Sequence, residues 1–537
     1  MSNAAHKIDF YKSGHKVQYP ENTTLIYSNL TPRTSRIPGI DHVVFFGMQA
    51  VILKFLIYDW RKGFFNRDKE SVLHSYKRRL DNALGKDVVD ISHIAALYDL
   101  GYLPLEIKAL PEGTLVPIKV PVFTIKNTKP EFFWLVNYLE SAISNLIWKP
   151  ITSATLAFNF RKNFEDFYAQ TIGENIPDGP VMFQGHDFSY RGMSGDWDAE
   201  ASGAGHLLSF WGTDTVPAID FLEDYYFADS DKEMIGCSVP ATEHSVMCMG
   251  GKEDEITTFR KLITETYPSG IVSIVSDTWD FWKVVTEYLP ILKDEITNRK
   301  GKVVIRPDSG DPYRIICGYM PEELVERDGK LYFTEEVWNE EHTESRYKTD
   351  SKSLEIWQVR GLIQCLWDTF GGSMSTLGYR ILSEKIGAIY GDSINLTNQV
   401  QILQGLKRKG FASTNIVLGI GSYTYEYQTR DTFGFAMKAT YGEVEEAEAR
   451  EDMGSGYTVK TVGREIFKDP KTDSGMKKSA RGLLQVFEDE NNELHLKDQC
   501  TWEEEQQGLL QTVFLDGQLI APISLSEIRN RVNSYII

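Results

Sequence analysis

The chain has 537 residues, too many for one simple hydrophobic core, and its length alone predicts two domains. Its 42% hydrophobic and 25% charged residues fit an ordinary globular protein, while a net charge of −19 argues against a broadly basic nucleic-acid binder. An anionic small substrate is still allowed, provided that Arg and Lys gather locally around it.

Five cysteines are scattered without a CxxC pair, which points to a reducing compartment and away from a disulfide framework. No apolar run approaches a membrane span, and Met1 to Lys7 is too polar for a signal peptide. The expectation is a cytoplasmic protein with neither membrane nor nucleic acid as partner.

In chain order, residues 1–180 mix helical patterns with a β-rich stretch from Leu105 to Ile125, punctuated by Pro104, Pro111, Pro117 and Pro121. Phe132 to Trp148 is apolar on nearly all sides and predicts a buried helix. Between residues 181 and 425 the pattern changes. Five short apolar runs each end in small, acidic or basic residues: Pro180-Val181-Met182-Phe183 leading to His186, Ile271 to Val275 before Ser276-Asp277, Val303-Val304-Ile305 before Arg306-Pro307-Asp308, Ile386 to Tyr390 before Gly391-Asp392, and Ile416-Val417-Leu418 before Gly419-Ile420-Gly421-Ser422. Such runs predict buried parallel strands, and ligands bind at the carboxyl ends of parallel strands.

Helices are predicted between them. One runs from Asp254 to Thr266, burying Ile256, Phe259, Leu262 and Ile263. Another is capped by Asn395, carries Leu396, Val400, Leu403 and Leu406 on one face, and stops at Gly410. The polar excursion from Glu322 to Ser353 predicts a surface hairpin or loop, followed by one helix through Leu354, Trp357, Leu362 and Leu366. Residues 426–537 turn to short strands at Tyr457–Val462, Leu483–Glu488 and Leu509–Leu515, and the acidic run Glu443 to Asp452 predicts a solvated loop. The fold class is therefore α/β: a central parallel-stranded domain, with a second mixed α+β domain formed from both chain ends.

Several constellations carry chemistry, each with a plain alternative. The Gly419–Ser422 turn can cradle a single phosphate on its N–H groups, although a glycine pair after a strand is often only a tight turn. Tyr423 and Tyr425 stand where a dinucleotide fingerprint needs more glycine. Asp308 and Asp392 at two strand tips suit a ribose diol or a magnesium ion reached through water; an isolated Asp more often caps a loop. His244 beside Glu243 can act as base or nucleophile, or be a structural histidine. Gly212-Thr213-Asp214-Thr215 reads on its own as a helix N-cap, and His186 as a brace for its loop. A barrel glycosidase using Asp308 and Asp392 as paired acids would explain neither Phe188 nor the phosphate turn.

Together, His186–Gly192, Gly212–Thr215, Ser238-Val239-Pro240-Ala241-Thr242-Glu243-His244-Ser245, Ile305–Gly310 and Phe467-Lys468-Asp469-Pro470 resemble the nicotinate/nicotinamide phosphoribosyltransferase family, on its nicotinamide side. The resemblance extends from Asp9-Phe10-Tyr11-Lys12 to Glu527-Ile528-Arg529. It implies a barrel-like type II phosphoribosyltransferase domain and transfer of phosphoribosyl from 5-phosphoribosyl 1-pyrophosphate to nicotinamide. It implies that Phe188 and the partner subunit's Tyr11 sandwich the pyridine, making a homodimer part of the site. Asp214 and Arg306 would address the carboxamide, with Ser238 and Ser276 beside it. Asp308, Gly391 and Asp392 would hold ribose; Gly421, Ser422, Arg191 and Lys468, with the partner subunit's Arg33, Arg430 and Lys438, would meet phosphates. Mg2+ would assist, and ATP, as co-substrate, would phosphorylate His244, oriented by Glu243, Asp277 or Asp280. Ser422 and Leu483 depart from the family pattern. Nicotinate as substrate, or a non-enzymatic signalling role on this scaffold, are the alternatives.

Overall fold

The computed structural model describes residues 2–173, 179–338, 345–391, 393–449, 457–468 and 480–536. Six parallel strands form one sheet in the order Gly212–Thr213, Gly185–Asp187, Val417–Ile420, Ile386–Tyr390, Lys300–Arg306 and Ser269–Val275. The two edges are joined by the segment Cys237–Thr242. Thr213 N donates to Cys237 O at 2.9 Å on one side, and Ser273 N donates to Pro240 O at 2.9 Å on the other. Both exposed strand edges are thus satisfied, and the sheet becomes barrel-like.

The run Pro180–Phe183 is not a strand. It forms a 3-10 turn, and the strand follows it at Gly185–Asp187. Proline at the first position presets φ for a helical turn and removes a ladder donor. The Gly212–Thr213 edge strand, two residues long, is too short to show a strand pattern.

Along the barrel strands, alternate residues face the helices and the lumen. Val303 and Ile305, for example, belong to the core between strands and helices. The helix Leu396–Arg408 starts with Asn395 Oδ1 accepting from Thr397 N and Asn398 N at 2.9 and 3.0 Å, and ends before Gly410 at φ +76°. It buries Ile402, Leu403 and Leu406, whereas Val400, expected on that face, is exposed. The expected helix over 254–266 runs from Glu255 to Lys261 and continues to Thr266 in wider turns, with Ile256 only partly buried.

The excursion after Met320 is a three-stranded antiparallel sheet, Leu324–Arg327, Lys330–Trp338 and Ser345–Leu354. Beyond it the single expected helix is two, Ile356–Arg360 and Leu362–Phe370, broken at Gly361, whose φ is +79°. A Cβ on Gly361 would lie 2.5 Å from Cys317 C, so only glycine allows the turn.

Both chain ends build the second layer. Its antiparallel sheet runs in the order Tyr457–Glu465, Ala436–Ala449, Thr23–Thr31, Phe123–Asn127, Leu105–Ala109, Gln511–Leu515 and Gln518–Leu519. The acidic run from Glu443 is therefore a strand as far as Ala449, with Glu445, Glu446 and Glu448 facing solvent; residues 450–452 lie outside the described residues. Adjacent Glu445 and Glu446 point to opposite faces, and both reach water because residues 445–448 are exposed on either side of the strand. The expected Phe132–Trp148 helix is split into Leu135–Tyr138 and a longer helix, Glu140–Thr171, which continues past Pro150. That helix packs Ile143 and Ile147 into the core of the second domain and Phe160 and Phe164 into that of the barrel. It ties the two together. Among the described residues no helix is long and apolar enough to cross a membrane.

Candidate active site

A cavity of about 630 Å³ opens at the carboxyl ends of the barrel strands. Phe188, Arg191, Asp214, Arg306, Asp308, Gly391, Gly421 and Ser422, all singled out from sequence, line it, as does Glu243. Asp392 lies outside the described residues.

The wall around Phe188 is set by glycines. Phe188 N donates to Ile420 O at 3.1 Å, fixing the loop to the neighbouring strand. A Cβ on Gly419 would stand 2.6 Å from Phe188 Cδ2 and 2.8 Å from Gly391 Cα, so this close approach requires glycine. Asp214 faces this space from the end of its short strand. His186 Nε2 is 2.9 Å from Asp214 Oδ1, and Ser238 Oγ donates to the same oxygen at 2.5 Å. Burial pushes the Asp214 carboxyl up, but those hydrogen bonds and the charges of His186 and Arg306 outweigh it and hold the group below the usual carboxylate range. The expected helix cap is not its role: Thr215 occupies the N-cap position and makes no side-chain cap bond.

Arg306 Nη2 donates to Thr242 O at 2.6 Å, while its buried Nε has no protein partner. A buried donor left unpaired costs about 1–3 kcal/mol, and it stands where a polar ligand group can satisfy it. Thr242 also accepts from Val275 N through Oγ1 at 2.9 Å, so one residue of the barrel seam fixes both strand and guanidinium. No local pattern in the sequence marks Thr242. Ser276, expected beside the ring, is fully buried and donates its hydroxyl to Ile274 O at 2.7 Å. It belongs to the strand end and does not line the cavity, because the tip turns its side chain back onto its own backbone.

His244 begins a short helix at the rim and is half exposed, with Nδ1 3.2 Å from Thr278 Oγ1 and Nε2 3.8 Å from Asp277 Oδ1. Asp277 is buried; its Oδ2 accepts from Asp308 N at 3.1 Å and from Ser309 Oγ at 2.5 Å, while Oδ1 has no hydrogen-bond partner. Of the three acids considered for His244, Glu243 accepts from Ser245 and Asp280 caps its own helix through Lys283 N at 3.1 Å. Asp277 alone of the three links His244 to the Asp308 loop.

The Gly421–Ser422 side of the cavity is also braced. A Cβ on Gly192 would lie 2.2 Å from Ser422 Oγ, so the Phe188–Gly192 loop packs directly on the Gly421–Ser422 turn. Glu426, one turn later, accepts from Ser194 of that loop and pairs with buried Lys149 at 2.8 Å. Lys149 Nζ also donates to Tyr425 O at 3.2 Å.

Tyr11, Arg33, Arg430 and Lys438 do not reach the cavity of their own chain. Tyr11 is 62% exposed beside exposed Phe10 and Val17. The neighbouring Lys12 pairs with Glu140, which Lys438 approaches at 3.5 Å. Arg33 Nε donates to Gly434 O at 3.2 Å, and Arg430 lies 3.2 Å from Asp431. The four residues lie on the second domain. Lys468 follows the Tyr457–Glu465 strand; nearby Arg481 covers the Phe467 ring, and Leu483 is buried in its own strand.

The model of the nicotinate phosphoribosyltransferase (NAPRTase) family matches residues 183–517, and that of the nicotinamide phosphoribosyltransferase N-terminal domain matches residues 3–73. A nicotinamide phosphoribosyltransferase of Acinetobacter baylyi is 50% identical, covering 99% of this chain and 97% of that protein. Another from Mycoplasma pneumoniae is 32% identical over 89% of this chain and 96% of its own length. Among solved structures, the nicotinate-nucleotide pyrophosphorylase of Pyrococcus furiosus superposes with a TM-score of 0.53 at 13% identity, covering 99% of this chain and 94% of that one, a likeness of fold alone.

Proposed function

The chain belongs to the nicotinate phosphoribosyltransferase family, and from that premise we infer that it transfers phosphoribosyl from 5-phosphoribosyl 1-pyrophosphate to the ring nitrogen of nicotinamide. The observation that carries the choice of pyridine is Asp214. Its carboxylate, held ionised opposite Arg306, accepts from a carboxamide NH2 and repels the carboxylate of nicotinate.

In the reaction the lone pair of the pyridine nitrogen forms the bond to C1 of the sugar as the C1–oxygen bond breaks and its electron pair leaves on pyrophosphate. The nitrogen carries no proton, so no general base is needed. The residues have to orient two reactants and stabilise departing charge. Phe188 supplies one face of the ring site, Arg306 addresses the amide oxygen, Asp308 and Gly391 the ribose, and the Gly421–Ser422 turn with Arg191 the phosphates. Mg2+ fits this set as an ion carried chiefly by substrate phosphates and water, with Asp308 as the protein oxygen donor, since among the described residues no three candidate ligands converge here. When bound, it neutralises charge on the leaving group.

The cluster of exposed Phe10, Tyr11 and Val17 supports a homodimer in which the partner's Tyr11 closes the ring site. His244, exposed at the rim with Asp277 behind it, supports phosphorylation by ATP: the imidazole nitrogen forms the bond to the γ-phosphorus and ADP leaves. The test is nicotinamide mononucleotide formation, with both pyridines, with and without ATP. Nicotinamide is expected to be strongly preferred, and His244→Ala to keep basal transfer but lose stimulation by ATP. Equal turnover of nicotinate overturns the substrate reading; undiminished stimulation in His244→Ala overturns the role of the histidine.

A further inference from the structure

At the opposite end of the barrel, where the strands begin, a second cavity of about 340 Å³ lies near the end of the Glu140–Thr171 helix. Ile172, Pro180, Ile381, Leu382 and Ile386 give it an apolar wall, which Lys302, Tyr168, Thr414 and Asn415 interrupt. Strand alternation sets the place of Lys302. Val303 and Ile305 point to the helices, so Lys302, Val304 and Arg306 share the other face. Arg306 lines the active-site cavity, and Lys302 sits four residues back, about 13 Å along the strand. The two cavities are therefore distinct.

Of the polar groups of this wall, Asn415 is hydrogen-bonded to Leu382 N and Arg380 O, whereas the side chains of Lys302 and Tyr168 have no such partner among the described residues. Among the described residues the Lys302 ammonium forms no ion pair or hydrogen bond. Burial pushes its pKa below the ordinary lysine value, and Glu384, already beside Lys385, opposes this only in part. Tyr168 is 4% exposed, and its hydroxyl likewise has no hydrogen bond among the described residues. The ring is buried but the hydroxyl is not enclosed, so it faces the cavity as a donor that a ligand can use. Gly387 keeps room for the lysine stem, since a Cβ there would stand 3.2 Å from Lys302 Cδ. The ammonium is partly desolvated but not sealed from water, so an anion entering the cavity would gain an ion pair in a place where charges are less screened than at the open surface.

We propose that this cavity is a second ligand site, taking a small organic anion whose carboxylate meets Lys302, whose second donor is the Tyr168 hydroxyl, and whose body is a single ring or a branched aliphatic group. A carboxylate suits one ammonium and one phenol better than a phosphate, which would leave further charged oxygens unmatched against an apolar wall. The volume suits a ligand of that size.

The test is isothermal titration of the full chain with benzoate, phenyl phosphate and uncharged benzamide, in saturating nicotinamide so that the active-site cavity is filled. Benzoate is expected to bind, with phenyl phosphate weaker and benzamide weaker still. Lys302→Met should weaken benzoate about tenfold or more, and Lys302→Arg should retain most of the affinity. Tyr168→Phe should weaken it severalfold, and this smaller change keeps the test open should Lys302→Met fold poorly. The proposal is overturned by absence of benzoate binding up to about 10 mM, by binding that neither substitution alters, or by benzamide or phenyl phosphate binding as tightly as benzoate.

Discussion

In the proposed function, Asp214 is the carboxylate that tells apart two pyridines differing only in an amide or an acid. Its neighbours hold it below the usual carboxylate range. His186 and Ser238 both hydrogen-bond one oxygen, Oδ1, which leaves Oδ2 for a ligand. Substitution Asp214→Asn removes the repulsion of a carboxylate while keeping the shape. Steady-state kinetics with both pyridines should show the nicotinamide preference falling by about tenfold or more, through a rise in kcat/KM for nicotinate and a fall for nicotinamide. Unchanged preference would mean that discrimination lies elsewhere in the pocket.

At the scale of elements, the proposed function requires the Phe188–Gly192 loop and the Gly421–Ser422 turn to keep their spacing, so that ring and phosphate are held together. The pair formed by Glu426 and Lys149 acts on both, through Ser194 on one loop and the short helix Ser422–Tyr425 on the other. Lys149 is 1% exposed, so Glu426→Gln leaves a buried ammonium with Tyr425 O and, at 3.8 Å, Asp198. Urea denaturation should show a loss of about 1–3 kcal/mol, and the KM for 5-phosphoribosyl 1-pyrophosphate should rise severalfold. Pairing Glu426→Gln with Lys149→Met should recover the stability, since no buried charge is then unpaired, without recovering the KM. Recovery of both would make the pair structural only.

The whole molecule has two halves with different duties. The barrel carries the cavity, and the second domain carries Tyr11, Arg33, Arg430 and Lys438, none of which lines it; the proposed homodimer would have to bring them there from a second copy. Mixing Tyr11→Ala with Phe188→Ala subunits should restore transfer to about a quarter of the wild-type level, because each mixed dimer rebuilds one intact site of two. Recovery no greater than the two parent activities would exclude a shared site. The second domain also sets an acid limit. His93, buried against Trp134 with ring centroids 4.6 Å apart, has its pKa pushed down to about 4 by burial. A histidine lowered on folding contributes stability that is complete above its ordinary value of 6.5 and is lost as pH falls from there through about 4. Denaturation midpoints should decline across that window, with His93 accounting for up to about 3 kcal/mol, and His93→Gln should decline less.

Much of this was legible without coordinates. Short β-branched runs ending in Asp277, Asp308 and Gly421 are buried parallel strands because both faces of such a sheet are covered, and hydrophobicity alone records that. Several of the residues singled out at strand tips, among them Asp214, Arg306, Asp308 and Gly421, line one cavity, because strand ends of a parallel sheet converge on one side. What the chain order could not disclose are relations between distant segments. Closure of the barrel by Cys237–Thr242 depends on isolated bridges to two different strands. The choice of Asp277 for His244, the turning away of Ser276 and the grip of Thr242 on Arg306 depend on side-chain direction at a strand end. The identity of each group at the site was thus written locally, by residue type. Which of them meet was decided by tertiary packing, since hydrogen bonds and charges act over a few ångströms in space and not along the chain.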